Sequence, residues 1–189
     1  MFKSLSHGQR VISDAEKLYT ELKMDEQGKY SLSHYDDAML TAFLIKNKFG
    51  DVKILDGTGG AGGNSIAFGL LFSDVISIEI DPERFKLLKY NVKDLFKLDN
   101  ELFNDSFYNH IDDEYNLLFL DPPWGGPDYK LKKNLRLTIA DKTMKEIASY
   151  LLNKNRRLIL KLPFNYDLSE FSSLSYEKYR IKNYLLLVF

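Results

Sequence analysis

The stretch LFLDPPWGGPDY, Leu118 to Tyr129, carries an apolar run into Asp121, Pro122, Pro123 and Trp124, the only tryptophan of the chain. Two successive prolines fix the backbone and remove two N–H donors, so the carbonyls that remain can only accept. An exocyclic amine on a nucleobase presents two N–H donors. Asp121 and the Pro122 carbonyl are suited to hold both, with Trp124 stacked on the base. Such stacking contributes about 1 to 3 kcal/mol, more when the base is cationic. The plainer reading of the same residues is a stiff turn with a buried anchor.

A second glycine-rich stretch, DGTGGAGGN, runs from Asp56 to Asn64 between an apolar strand and a helical pattern. Gly57, Gly59 and Gly62 satisfy GxGxxG, a pattern that lets a ligand approach bare backbone at a helix N-terminus. No GK[ST] follows, which excludes a phosphate-binding P-loop. Glu79 ends the next apolar run about 20 residues on, where a carboxylate takes ribose hydroxyls. These features suit either a nicotinamide cofactor or S-adenosylmethionine. Asp56, directly before the glycines, favours the second, because a carboxylate there suits a cationic amino-acid end better than a pyrophosphate. Asp105, in LFNDSF after a short third strand, is placed to accept from an adenine amine. Taken singly, each carboxylate reads equally well as a solvated turn or a helix cap.

The elements that must position these groups alternate along the chain. VKIL (52–55), VISIEI (75–80), YNLLFL (115–120) and RLILKL (157–162) read as strands buried on both faces. DPERFKLLKYNVKDLF reads as a helix capped by Asp81, with Phe85, Leu88, Val92 and Leu95 on one face. TMKEIASYLL turns Met144, Ile147, Ala148 and Leu151 inward. Ahead of the first strand, Ser13 with Glu16 and then Ser33 are positioned as helix caps. YEKYRI and YLLLVF at the end predict an antiparallel pair. The expected fold is α/β, a doubly wound and mostly parallel seven-stranded sheet. A helical N-terminal extension (1–50) packs on a core of residues 51–189.

Composition narrows the classes. The 189 residues carry 26 basic against 27 acidic side chains, so contact with a polyanion must be local. Absence of cysteine excludes disulfides, thiolate metal sites and thiol nucleophiles, and His7, His34 and His110 lack ligand spacing, so no metal is expected. No apolar run reaches the roughly 18 residues that span a bilayer, nor does the N-terminus carry a signal-peptide core. A soluble, intracellular, monomeric protein without a membrane partner is expected.

DPPWGGPDY, with DGTGGAGGN upstream and KMDEQGKYSLSHY (23–35) before the first strand, resembles the trimethylguanosine synthases. These are class I S-adenosylmethionine-dependent methyltransferases with a Rossmann-like sheet, and they act on the guanine N2 amine of 7-methylguanosine-capped RNA. The resemblance implies that Asp56, Glu79 and Asp105 bind the methionine, ribose and adenine parts of the cofactor, with Gly57, Gly59, Gly62, Asn64 and Asp121 around it. It implies that Asp121, Pro122 and Trp124 form the catalytic edge, with Trp124 stacked on the methylated guanine. Asn91 would contact that base, while Tyr129 and basic groups would meet the triphosphate; Lys130, Lys132 and Lys133, directly after the tryptophan loop, are placed to supply that charge. The chain departs from the family pattern at Asp121, where many members have serine, and at Phe164, where a basic residue is expected. No histidine or cysteine belongs to these motifs, so covalent catalysis is not indicated. In-line transfer by proximity and orientation, effects able to supply roughly 7 to 11 kcal/mol, fits instead. Two other functions fit the same residues: methylation of an internal guanine or adenine of ribosomal RNA or DNA, and a cap-binding module without catalysis.

Overall fold

The computed structural model describes residues 14–26 and 28–189. Residues 14–19 are helical, and a one-turn helix, Gly28–Ser31, leads into α1 (Tyr35–Phe49). The core then runs β1 (Ile54–Asp56), α2 (Gly63–Leu71), β2 (Val75–Ile78), α3 (Pro82–Lys89), β3 (Glu101–Phe103) and β4 (Leu117–Leu120). A small hairpin, β5 (Thr138–Ile139) with β6 (Lys142–Thr143), precedes α4 (Met144–Asn153), β7 (Arg157–Pro163), β8 (Glu177–Ile181) and β9 (Tyr184–Val188).

Seven strands form one sheet in the order β3-β2-β1-β4-β7-β9-β8. The first five are parallel and β9 is antiparallel to both neighbours, as YEKYRI and YLLLVF predicted. This is the doubly wound, seven-stranded class I methyltransferase arrangement expected from the sequence. Strand period two sorts the side chains. Leu55, Leu118, Leu120, Leu158 and Leu160 pack with Met144, Ile147, Ala148 and Leu151 of α4 on one face. Ile54, Leu117, Phe119 and Ile159 pack with Ala38, Ala42 and Ile45 of α1 and Phe68 of α2 on the other. Both faces are therefore dry, which is why these strands read as unbroken apolar runs. Among the described residues no helix is long and apolar enough to cross a membrane.

The N-terminal segment is tied to the core by polar contacts. Asp81 caps α3 by accepting from Arg84 N at 2.9 Å, and the helix passes into a π-turn over Tyr90–Leu95. That turn points Asn91 inward. Its Nδ2 donates to Lys23 O at 2.7 Å and to Ala61 O at 2.8 Å, and its Oδ1 accepts from Lys23 N at 2.9 Å. Asn91 is 0% exposed, and its two donors and its oxygen all serve the main chain. Asn91, expected to contact the base, thus has every polar atom of its amide engaged by main chain. Of the two capping expectations one changes and one is untested. Ser13 lies outside the described residues, and α1 is capped at His34 without a side-chain bond, Ser33 being engaged elsewhere.

Asn91→Ala is expected to lower unfolding stability by about 2 to 3 kcal/mol, because buried main-chain groups lose their partner. Urea midpoints measure this; an unchanged midpoint would contradict the anchoring role.

Candidate active site

In a doubly wound sheet the crevice opens beyond the carboxyl ends of the strands, where the winding reverses. Here that point lies between β1 and β4, and the loops after them, the glycine loop and the DPPW loop, face one another across a cavity of about 560 Å³. The size suits a small-molecule site.

The glycine loop is held against the sheet by its backbone. Gly57 N donates to Phe119 O at 3.0 Å and Gly59 N to Ile78 O at 2.7 Å. A Cβ on Gly57 would sit 2.7 Å from Leu120 Cδ2 and 3.0 Å from Phe107 Cβ, so only glycine allows this approach. Gly57, Gly59 and Asn64 line the cavity. Gly62 does not; with φ +106° it caps α2, and a Cβ there would face Leu88 and Ile66.

Asp56 lies under the glycine loop. It is 0% exposed beneath the loop and forms no part of the cavity wall. Ser65 Oγ donates to its Oδ2 at 2.6 Å and Thr58 N to its Oδ1 at 3.3 Å, so the carboxylate fixes the loop from below. Burial raises its pKa to about 7 against the pull of these two donors, and the nearby charges of Asp121 and Glu79 push the same way.

Glu79 does reach the cavity. Its oxygens accept from Gly60 N at 2.8 Å and Asp81 N at 2.9 Å, which aims the carboxylate from the end of β2. Asp105 lines the same side; Ser106 N and then Asn109 Nδ2, both on its Oδ1 at 2.7 Å, hold it below the usual carboxylate range. His110 Nε2 lies 3.2 Å from its other oxygen.

Asp121, Pro122, Trp124, Tyr129 and Lys130 of the DPPW loop line the cavity too. Trp124 is half-buried and meets Tyr129 edge to face, centroids 5.0 Å apart at 73°. Lys132 and Lys133 are exposed outside the cavity wall, so the structure does not bring them to it; Phe164, also outside, is 44% exposed.

A charged lining residue escaped the sequence reading. Lys161 of β7 is 4% exposed and pairs with Asp121 Oδ2 at 2.7 Å, and its Nζ also donates to Ser33 Oγ. The available signal was a lone lysine in the apolar run RLILKL, where a parallel strand buries both faces.

The wall has the chemistry to hold an amino-acid-bearing nucleoside. Bare glycine backbone and Glu79 lie on one side, and the buried Asn64 Oδ1 in the same wall has no hydrogen-bond partner among the described residues. That orphan acceptor suits a donor on a ligand, such as the ammonium of S-adenosylmethionine.

Comparisons with known proteins agree with this fold. Residues 52–185 match the model of a family described as RNA cap guanine-N2 methyltransferase. The trimethylguanosine synthase of Schizosaccharomyces pombe is 31% identical over 118 residues, 58% of this chain and 48% of its own. An uncharacterized protein of Acanthamoeba polyphaga mimivirus is 35% identical over 146 residues, 71% of this chain and 57% of its own. The chain thus spans about half the length of these relatives. The tRNA (m1A58) methyltransferase TrmI of Aquifex aeolicus shares the fold at TM-score 0.57 and 15% identity, covering 92% of this chain and 74% of that one. A ribosomal protein L11 methylase from Lactobacillus delbrueckii does so at TM-score 0.56 and 14% identity, covering 82% and 76%.

Asp56 also sets a pH signature for the site. Its folded pKa lies above the ordinary 3.8, so the folded state binds the proton more tightly. That contribution to stability is complete below the unfolded value and is lost as pH rises through about 7. Asp56→Asn is expected to lose less stability than wild type between pH 4 and 7.5 in urea titrations; parallel profiles would contradict the buried acid. The family match, the sheet order and the loops that face each other across the cavity lead to one assignment: the chain belongs to the RNA cap guanine-N2 methyltransferase family, whose membership and fold imply use of S-adenosylmethionine.

Proposed function

We propose that this chain transfers methyl from S-adenosylmethionine to the exocyclic N2 amine of the 7-methylguanosine cap of RNA, as trimethylguanosine synthases do. The observation that carries the reading is the pairing, in one cavity, of an acceptor-only edge with an aromatic platform: Asp121 and Pro122 beside Trp124, facing the glycine loop. When bound, the cofactor supplies an electrophilic methyl group on a sulfonium.

The chain's own residues do the rest. Glu79 takes the ribose hydroxyls and Asp105 the adenine amine, while the glycine loop offers its backbone. Asp121 and the Pro122 carbonyl take the two N–H donors of the guanine amine and leave its nitrogen aimed at the methyl. Trp124 stacks on the purine. A 7-methyl group makes that purine cationic, so the π face of tryptophan discriminates in its favour. Tyr129 and Lys130 stand at the cavity for the triphosphate, and Lys132 and Lys133 just outside it for phosphates further along. The proton displaced on alkylation is held at Asp121 and passes to water. No general base of high basicity is needed, since alignment lowers most of the barrier.

Asp121 favours a second reading. An acid before two prolines equally suits an internal guanine or adenine amine of ribosomal RNA or DNA. A cap-binding module that has lost transfer fits less well, because it needs neither the glycine loop nor the aimed Glu79.

Labelled cofactor is expected to methylate 7-methylguanosine diphosphate and to leave guanosine diphosphate unmodified. Equal labelling of both refutes cap recognition, and labelling only of uncapped structured RNA supports the second reading. Trp124→Ala is expected to lower kcat/KM for the cap by about 10- to 100-fold while cofactor affinity in calorimetry stays within a few-fold. An unchanged kcat/KM removes the stacking role.

A further inference from the structure

β7 buries one charged side chain among apolar neighbours: Lys161, 4% exposed, on the face it shares with Ile159. A buried ammonium is tolerated only when it is paired and hydrogen-bonded, so what Lys161 touches defines its purpose. Its Nζ donates to Asp121 Oδ2 at 2.7 Å and to Ser33 Oγ. Asn64 Nδ2 donates to the same Oδ2 at 3.0 Å. The main chain of Asp121 is fixed too, its N–H donating to Thr58 Oγ1 at 2.7 Å.

Both side-chain donors therefore fall on one oxygen. Asp121 Oδ1 accepts no hydrogen bond among the described residues, and Asp121 lines the cavity. A carboxylate free to turn about its last torsion offers either oxygen in a broad range of directions. One locked at Oδ2 offers a single acceptor in a single direction. The contact with Ser33 extends the lock to the N-terminal segment, whose residues Ser31 to His34 close one side of the same cavity. Lys161 thus joins three separate stretches of chain at the acid of the DPPW loop.

We propose that Lys161 is a positioning residue for methyl transfer: it clamps Asp121 Oδ2 so that Oδ1 alone meets the acceptor amine. Through Ser33 it makes that geometry depend on the seated N-terminal segment. The assignment rests on Asp121 being the amine acceptor of the proposed function. Lys161 acts through Asp121, so its effect must vanish when Asp121 no longer carries a carboxylate.

A double-mutant cycle reads this directly. Wild type, Lys161→Met, Asp121→Ser and the double variant are compared for kcat and KM with 7-methylguanosine diphosphate, and for cofactor affinity by calorimetry. Lys161→Met is expected to lower kcat about 100-fold, the scale of a misplaced reacting group, with KM and cofactor affinity within about threefold. The double variant is expected to match Asp121→Ser within about threefold, since only groups that act together are non-additive. Losses that multiply, or a Lys161→Met enzyme with wild-type kcat, overturn the assignment. Stripping one partner from a buried pair can prevent folding. In that event Ser33→Ala, which leaves both charges in place, gives the answer: a several-fold loss of kcat supports the clamp and wild-type kcat refutes it. A wild type that binds cofactor yet leaves the cap unmodified overturns the proposed acceptor and this assignment together. A wild type that transfers, with multiplying losses, overturns the assignment alone.

Discussion

The parallel pairing of β1 with β4 is the constraint on which the remainder of the molecule depends. Ile54, Leu55 and Asp56 run beside Leu117, Leu118 and Phe119, and the chain winds away from this pair in opposite directions. Two helix-bearing connections cannot both cover the same spot, so a crevice opens at the strand ends. Glu79, Asp105, Asp121 and Trp124 all line it. The Gly57 N–H to Phe119 O bond continues the ladder one step beyond β1 and carries the glycine loop against the neighbouring strand. A Cβ at Gly57 would press on Leu120 and Phe107, so glycine suits that approach.

Crowding several acids at one sheet edge raises an electrostatic problem, which the fold meets differently at each. Asp56 is sealed off from water and drifts toward its neutral form. Glu79 is aimed by two backbone N–H groups. Asp105 takes two donors and a histidine at a more open position. Asp121 receives a buried ammonium. The four acids thus have four distinct environments at one sheet edge.

The N-terminal segment belongs to this arrangement rather than decorating it. Asn91 fastens Lys23 to the glycine loop through Ala61, Arg84 meets Asp25 at 3.3 Å, and Tyr19 donates to Ser33 O at 2.7 Å. These bonds seat the stretch leading into α1 where it closes the cavity. A π-turn in place of regular helix is what swings Asn91 inward to make the join.

Local patterns in the sequence determined the sheet strands, the main helices, the antiparallel final pair and the two loops that face the cavity. Apolar runs, Asp81 followed by proline, and glycine clusters act through the nearest few residues, so they can be read without knowing what lies across the fold. They also marked Glu79, Asp105, Asp121 and Trp124 as groups at strand ends or in the loops after them. Tertiary structure alone decided what each polar group touches. Asn91 sits in a motif near the site yet is consumed by main chain 68 and 30 residues away. Asp56 looks like a ligand and lies under the loop. Ser33 looks like a cap and instead receives Lys161 across 128 residues. Lys161 itself gave no motif. A buried charge is set by partners distant in sequence, and no local spacing encodes the strand register and helix packing that bring such partners within reach.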